Sequence, residues 1–83
     1  MMYPFMTLND DTEIACSNIQ EDGRVKVAIE KPDQKHGLKS MVCYLPGYEV
    51  KDVFKFSSDE IDSYLSLLHK TAHIIMEIAK EGV

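Results

Sequence analysis

Several features that would point to a known chemistry are scarce or missing in this sequence of 83 residues. It contains no tryptophan, and its four glycines are scattered at positions 23, 37, 47 and 82. No Gly-rich loop for phosphate or dinucleotide binding, no GxSxG nucleophile elbow and no CxxC pair is present. No apolar run approaches the roughly 20 residues of a membrane helix. The sequence therefore predicts neither an enzyme, nor a cofactor, nor a membrane association.

Basic residues are also scarce. Acidic residues number 14 and basic residues 9, which gives a net charge of −5. Nucleic-acid binding depends on clustered Lys and Arg, whereas the basic residues here are scattered and Arg24 is the only arginine. This balance disfavours nucleic acid as a partner and favours a basic protein.

The cysteines and the opening residues bear on the compartment. The start, MMYPFMTLNDD, has no basic region and reaches a proline and acidic residues too early for a secretory signal. We therefore expect a cytoplasmic protein, in which thiols stay reduced. Cys16 and Cys43 are then expected to be small core residues rather than a disulfide.

The sequence pattern of the first two thirds of the chain predicts β-strands. The runs TEIACSNIQ (12–20), RVKVAIEK (24–31) and SMVCYL (40–45) predict three strands, and YEVKDVFKF (48–56) predicts a short fourth strand or an extended lead-in. The Asp-Gly pair between the first two runs predicts a hairpin with a type I′ turn. The composition of PDQKHGLK (32–39) predicts a loop.

The last third reads as one helix. Ser57 and Glu60 have the spacing of a capping box, in which each side chain bonds the backbone amide of the other residue. We expect the helix to run from about residue 58 to residue 80, with Gly82 at its C-terminal stop.

These segments predict a single α+β domain over residues 1–83, with the element order β-β-β-(β)-α. A small antiparallel sheet of three to four strands is expected, with one long C-terminal helix packed on one of its faces. We divide the chain into an N-terminal segment (1–11), the sheet (12–56) and the capped helix (57–83). Val25, Val27 and Ile29 should face the helix, because they alternate with Lys26, Ala28 and Glu30 on the opposite face.

The helix carries more apolar residues than one sheet can cover. Its first apolar row, expected on the sheet, contains Ile61, Leu65, Leu68, Ala72, Ile75 and Ala79. The second row, called here the helix stripe, contains Tyr64, Leu67, Thr71, Ile74 and Ile78. Together they span roughly 200° of the circumference, whereas one core-facing stripe needs roughly 100° or more. We predict that the helix stripe forms a homodimer interface. The alternative is that N-terminal apolar residues fold over it, namely Tyr3, Phe5, Met6 and Leu8.

The polar side of the helix bears a column of possible metal ligands. His69, His73 and Glu77 follow one another at intervals of one turn, which suits zinc. Lys70 stands where the HExxH motif of metalloproteases has its glutamate. We predict a solvated column, and a metal-binding or small-ligand site is the alternative.

The order of segments resembles that of HicB-like antitoxins. The similarity rests on Leu45-Pro46-Gly47 and on the helix opening from Ser57 to Ile61, while the rest matches only in order. The chain departs from that family by the additional segment 32–39, by the lack of a Gly-rich paired strand and by the lack of a C-terminal DNA-binding extension. The resemblance implies binding of a small basic toxin through an acidic surface. The opening YPFMTLNDDTEI also resembles small uncharacterised bacterial proteins, which imply no function.

The sequence thus predicts a small cytoplasmic, non-enzymatic protein-interaction or regulatory module that acts as a homodimer. A ligand-binding protein that uses the histidine column is the first alternative. An enzyme with a site assembled across the dimer is a further one.

Overall fold

The computed structural model describes residues 2–35 and 37–81, and within them it contains one antiparallel sheet and one helix. The elements follow in the order β1 (Met2–Thr7), β2 (Glu13–Ser17), β3 (Val25–Asp33), β4 (Gly37–Leu45), β5 (Glu49–Phe54) and α1 (Ser58–Lys80). Each strand pairs with its neighbour in sequence, so the sheet order is β1-β2-β3-β4-β5. The α+β class and the single C-terminal helix are confirmed, but the sheet has five strands rather than three to four.

The additional strand comes from the N-terminal segment, which was expected to lie outside the sheet. It forms the edge strand β1, in which Tyr3 pairs with Cys16 and a bulge lies between Pro4 and Met6. Phe5 and Met6 are half-buried and pack against the core. The sequence pattern did not predict this strand, because proline weakens a strand prediction and a bulge interrupts the alternation of side chains.

The predicted loop over 32–39 is also wrong. β3 continues to Asp33 and β4 begins at Gly37, so that Lys31 pairs with Lys39 and Pro32 with Leu38. The polar composition suggested a loop, but the lysines of this hairpin bind carboxylates at the start of the helix, as described below.

The Asp-Gly hairpin between β2 and β3 is present, but its turn is not type I′. Gly23 has a φ of 81°, whereas Asp22 is not among the residues with positive φ. The Gly23 amide donates to the Gln20 carbonyl at 2.9 Å, and the Gln20 amide donates to the Arg24 carbonyl at 2.8 Å. These bonds describe a turn that is followed by a left-handed glycine, which is the alternative that an Asp-Gly hairpin can adopt.

The core lies between the helix and one face of the sheet. Val25, Val27 and Ile29 are fully buried there together with Leu68 and Ile75, as their alternation and spacing predicted. Such side chains each stabilise the fold by about 1.5–3 kcal/mol when buried, before the entropic cost of ordering them.

Both cysteines belong to this core. Cys16 and Cys43 are free thiols and are buried, which confirms their prediction as small core residues. Burial raises the pKa of the Cys43 thiol to about 11, and it raises the pKa of Cys16 as well. Thiols of this kind are poor nucleophiles, because the thiolate is the reactive form.

The helix begins and ends where its sequence predicts. The Glu60 amide donates to the Ser57 hydroxyl at 3.2 Å, and the Ser57 amide donates to the Glu60 carboxylate at 3.0 Å, so the capping box is present. Glu81 is the C-cap residue, and the predicted stop at Gly82 lies outside the described residues. No described helix is long and apolar enough to cross a membrane.

Candidate interaction surfaces

A chain of hydrogen bonds, buried between Thr12 and Tyr64, ties the helix to the start of β2. The Thr12 hydroxyl donates to the Asp10 carboxylate at 2.7 Å and lies 3.2 Å from the Tyr64 hydroxyl. Because Thr12 has one hydroxyl proton and gives it to Asp10, Tyr64 must be the donor to Thr12. The Thr12 hydroxyl, together with Lys31 at 3.3 Å, lowers the pKa of Asp10. Tyr64 is therefore fixed inside the protomer.

A second set of polar contacts ties the helix start to the β3–β4 hairpin. Lys39 lies 3.3 Å from Glu60 and 3.6 Å from Asp33, and Lys31 lies 3.9 Å from Glu60. The Ser57 amide, and then Lys39, hold the pKa of Glu60 below its ordinary value. The lysines of this polar hairpin thus fasten the helix N-terminus to the sheet.

The helix stripe is only partly open in the protomer. Tyr64 is buried, with 8% of its surface exposed, and the side chains of Leu67, Thr71 and Ile78 are half-buried. Ile74, in contrast, is 45% exposed. Since Tyr64 meets Thr12 at the start of β2, the stripe faces the β1–β2 side of the sheet, where Phe5 and Met6 also pack on the core. The apolar surface left for a second chain is therefore smaller than the sequence predicted, and it centres on Ile74.

The histidine column lies on the exposed side of the helix. His69, His73 and Glu77 are all exposed. The His69 ring stacks on the Tyr48 ring, with centroids 3.8 Å apart and an angle of 18° between the planes. Within residues 2–35 and 37–81, no group of three or more ligating side chains is arranged to hold a metal ion. His69 is thus engaged in a contact with the β4–β5 turn.

The sheet surface away from the helix, called here the outer face, carries no further described helix or strand. Its centre is a row of small apolar residues paired across the strands, in which Ala15 pairs with Ala28 and Ala28 with Val42. Phe54 pairs with Ser40 on this face and is 53% exposed, and Leu38, two residues from Ser40, is 48% exposed. The two apolar side chains are diagonal neighbours, close enough to form one patch.

An open hollow of about 440 Å³ adjoins this patch. It is lined by Thr7, Asp11, Glu13, Glu30, Pro32 and Leu38. One side of the hollow is therefore acidic and the other apolar. Its openness suits the docking of a flexible side chain better than the enclosure of a small ligand, which needs a concave and mostly enclosed pocket.

Sequence reasoning did not single out the outer face, although a signal was present. In RVKVAIEK, the alternation that places Val25 and Val27 in the core also places Ala28 and Glu30 on the opposite face. Leu38 was missed because the segment around it was predicted to be a loop, and Phe54 because the strand there was only one of two predictions.

Comparison with known proteins identifies no family for this chain. No family model matches the chain, and no curated protein or solved structure matches it.

Proposed function

We propose that this chain is a small cytoplasmic, non-enzymatic protein-interaction module that acts as a homodimer through its helix stripe. The observation that carries the proposal is the exposure of Ile74, 45%, between half-buried aliphatic neighbours. Burying a large aliphatic side chain completely stabilises an assembly by about 1.5–3 kcal/mol, and the half-buried Leu67 and Ile78 add to that. Association entropy opposes the gain, so a modest affinity is expected.

The competing arrangement is cover from within the protomer. The half-buried Phe5, Met6 and Leu8 support it, because they pack against the same core. The burial of Tyr64 also supports it, since this residue no longer offers its ring to a second chain. The two arrangements differ in the effect of a charge at position 74. It should lower the sedimenting mass if the stripe forms a dimer, and leave the mass unchanged if the stripe is covered from within.

The test is a charge in the stripe with a matched charge beside it. Ile74→Lys should dissociate the dimer, because the ammonium group would be buried at the interface without a partner. His73→Lys places a lysine at the adjacent exposed position and should leave the dimer intact. Sedimentation velocity compares the variants, and circular dichroism checks that both are folded. Identical sedimentation of the two variants and the wild type would overturn the proposal.

The resemblance to HicB-like antitoxins extends this proposal to a partner. An antitoxin-like role would make the partner a small basic protein, and the net charge of −5 supports such a partner through favourable long-range attraction. A small basic protein encoded beside this chain, and forming a complex with it when the two are mixed, would favour this role.

A further inference from the structure

Two carboxylates on the outer face stand directly opposite each other. Glu13 on β2 pairs in register with Glu30 on β3, and both side chains are exposed on the face away from the helix. Like charges at directly opposed positions of neighbouring strands repel each other and destabilise the sheet. The free chain therefore carries an unfavourable pair at this position.

Neither carboxylate has an ion-pair partner among the described residues, and neither does Asp11 in the same hollow. Four other acidic residues of the sheet and its turns are paired with cations: Asp10 with Lys31, Asp22 with Arg24, Asp33 with Lys39 and Glu49 with Lys51. Glu21 in the β2–β3 turn and Asp52 on β5 also lack an ion pair among the described residues, but neither lines the hollow. Three of the five unpaired carboxylates of the sheet and its turns are thus gathered beside the apolar Pro32 and Leu38.

We propose that this end of the outer face docks a basic segment of a partner protein. A lysine or arginine of the partner would lie between Glu13 and Glu30 and relieve their repulsion, while an apolar side chain next to it would cover Leu38 and reach Phe54. The small side chains of Ala15 and Ala28 keep the adjoining surface flat enough for a backbone to lie on it. The inference rests on the proposed role as an interaction module but not on the helix dimer.

The geometry favours a partner on the face over a partner strand added at an edge. The edge strand β1 contains Pro4, which has no amide to donate, and a bulge. The other edge strand, β5, has a register shift and a left-handed residue, Asp52, with a φ of 54°. Interruptions of this kind block strand pairing at sheet edges.

A basic partner also fits the face better than a second copy of this chain. Arg24 pairs with Asp22 and Glu49, and Lys51 pairs with Glu49, so these two cations of the outer face are already neutralised. Lys26 on the same face has no ion pair among the described residues, but the net charge of −5 opposes the approach of a second copy. Lys55 lies over the Phe54 ring at 5.2 Å, so the apolar contact of a basic segment is expected mainly on Leu38.

The test uses a fluorescently labelled decapeptide in which lysine alternates with leucine, and anisotropy measures its binding to the full chain. Glu13→Gln/Glu30→Gln should weaken binding at least about tenfold, because it removes both charges from the site. Glu21→Gln/Glu77→Gln removes the same net charge from exposed residues elsewhere and should change affinity by less than about twofold. Leu38→Ser should also weaken binding, because it removes the apolar side chain that lines the hollow beside the acidic pair.

The repulsion between Glu13 and Glu30 also predicts an effect on thermal stability. Glu13→Gln/Glu30→Gln should raise the melting temperature at low salt, and Glu21→Gln/Glu77→Gln should not, because only the first removes a like-charge pair. This measurement also shows that the variant is folded.

Three results would overturn the proposal. The first is that the wild type does not bind the peptide. The second is that the two charge variants weaken binding equally, which would assign the attraction to net charge alone. In the third, Leu38→Ser changes the sedimenting mass, which would make a second copy the occupant. An unchanged sedimenting mass in Ile74→Lys, together with peptide binding equal to that of the wild type, would contradict the helix interface and leave this proposal standing.

Discussion

At the scale of single residues, Tyr64 shows where the helical wheel misleads. Its sequence position places it in the helix stripe with Leu67, yet it lies only roughly 20° around the helix from Ile75, which is in the core. A side chain that lies between two apolar rows can pack either into the core or on the side of the second row. Its hydroxyl decides the direction here, because Thr12 accepts a hydrogen bond from it inside the protomer. Periodicity could not have predicted a bond between residues so far apart in sequence.

Removing this hydroxyl should have a measurable cost. We expect Tyr64→Phe to lower the free energy of unfolding by about 1 kcal/mol, the usual net value of one hydrogen bond. Thr12→Val should cost more, about 1–3 kcal/mol, because it leaves the Tyr64 hydroxyl buried without a partner. Urea denaturation of the two variants measures both values. Equal stability of Tyr64→Phe and the wild type would show that the bond contributes nothing.

The histidines make a second prediction at this scale. Zinc should leave the melting temperature nearly unchanged, since a ligand that binds only the folded state must raise it. His69 is engaged in stacking on Tyr48, and no third ligand is arranged beside the pair in the described chain. Thermal unfolding with and without zinc tests this. A rise that disappears in His73→Ala would restore the metal alternative.

At the scale of elements, the helix was the most predictable part and β1 the least. Capping chemistry is local, so Ser57 and Glu60 revealed the helix start without knowledge of the rest of the fold. β1 depends on a bulge beside Pro4 and on pairing with β2, which a single segment does not reveal. The β3–β4 hairpin was missed for a related reason, because its lysines are neutralised by residues distant in sequence.

The capping box also predicts a pH dependence. The pKa of Glu60 in the folded chain lies below its ordinary value of 4.5, so the unfolded chain takes up the proton first. The stability contributed by this carboxylate is therefore present above about pH 4.5 and is lost as pH falls through the folded pKa. Asp10, whose pKa is also lowered, acts in the same direction.

Glu60→Gln isolates the contribution of one carboxylate. Glutamine retains the reciprocal bond to the Ser57 amide but loses the charge that faces Lys39. The wild type should be more stable than this variant at about pH 7, and the difference should shrink at about pH 3. Urea midpoints at the two pH values measure it. A difference of equal size at both would show that the charge of Glu60 is not the cause.

At the scale of the whole molecule, the number of strands changes the balance between dimer and monomer. A sheet of three to four strands would leave the helix stripe bare, whereas β1 brings Phe5 and Met6 toward the same side. The sequence predicted the class of the fold and its core, because alternation and helical spacing report burial directly. It could not predict the area left open, because this depends on which strand occupies the edge.

Two adjacent isoleucines separate folding from assembly. Ile75 is fully buried, so Ile75→Lys should unfold the chain, because a charge in the core would have no partner. Ile74→Lys should keep the helical circular dichroism signal, because this side chain is half exposed. If both variants unfold, or neither does, the faces assigned to the helix are wrong.

We propose that the exposed part of the helix stripe, centred on Ile74, is covered by a second copy of this chain. Sedimentation equilibrium of the wild type up to high micromolar concentration tests it most directly. For a dimer, the weight-average mass should rise with concentration toward twice the 9.5 kDa of the monomer. A mass of 9.5 kDa at every concentration would contradict it, and would favour cover from within each chain by Phe5, Met6 and Leu8.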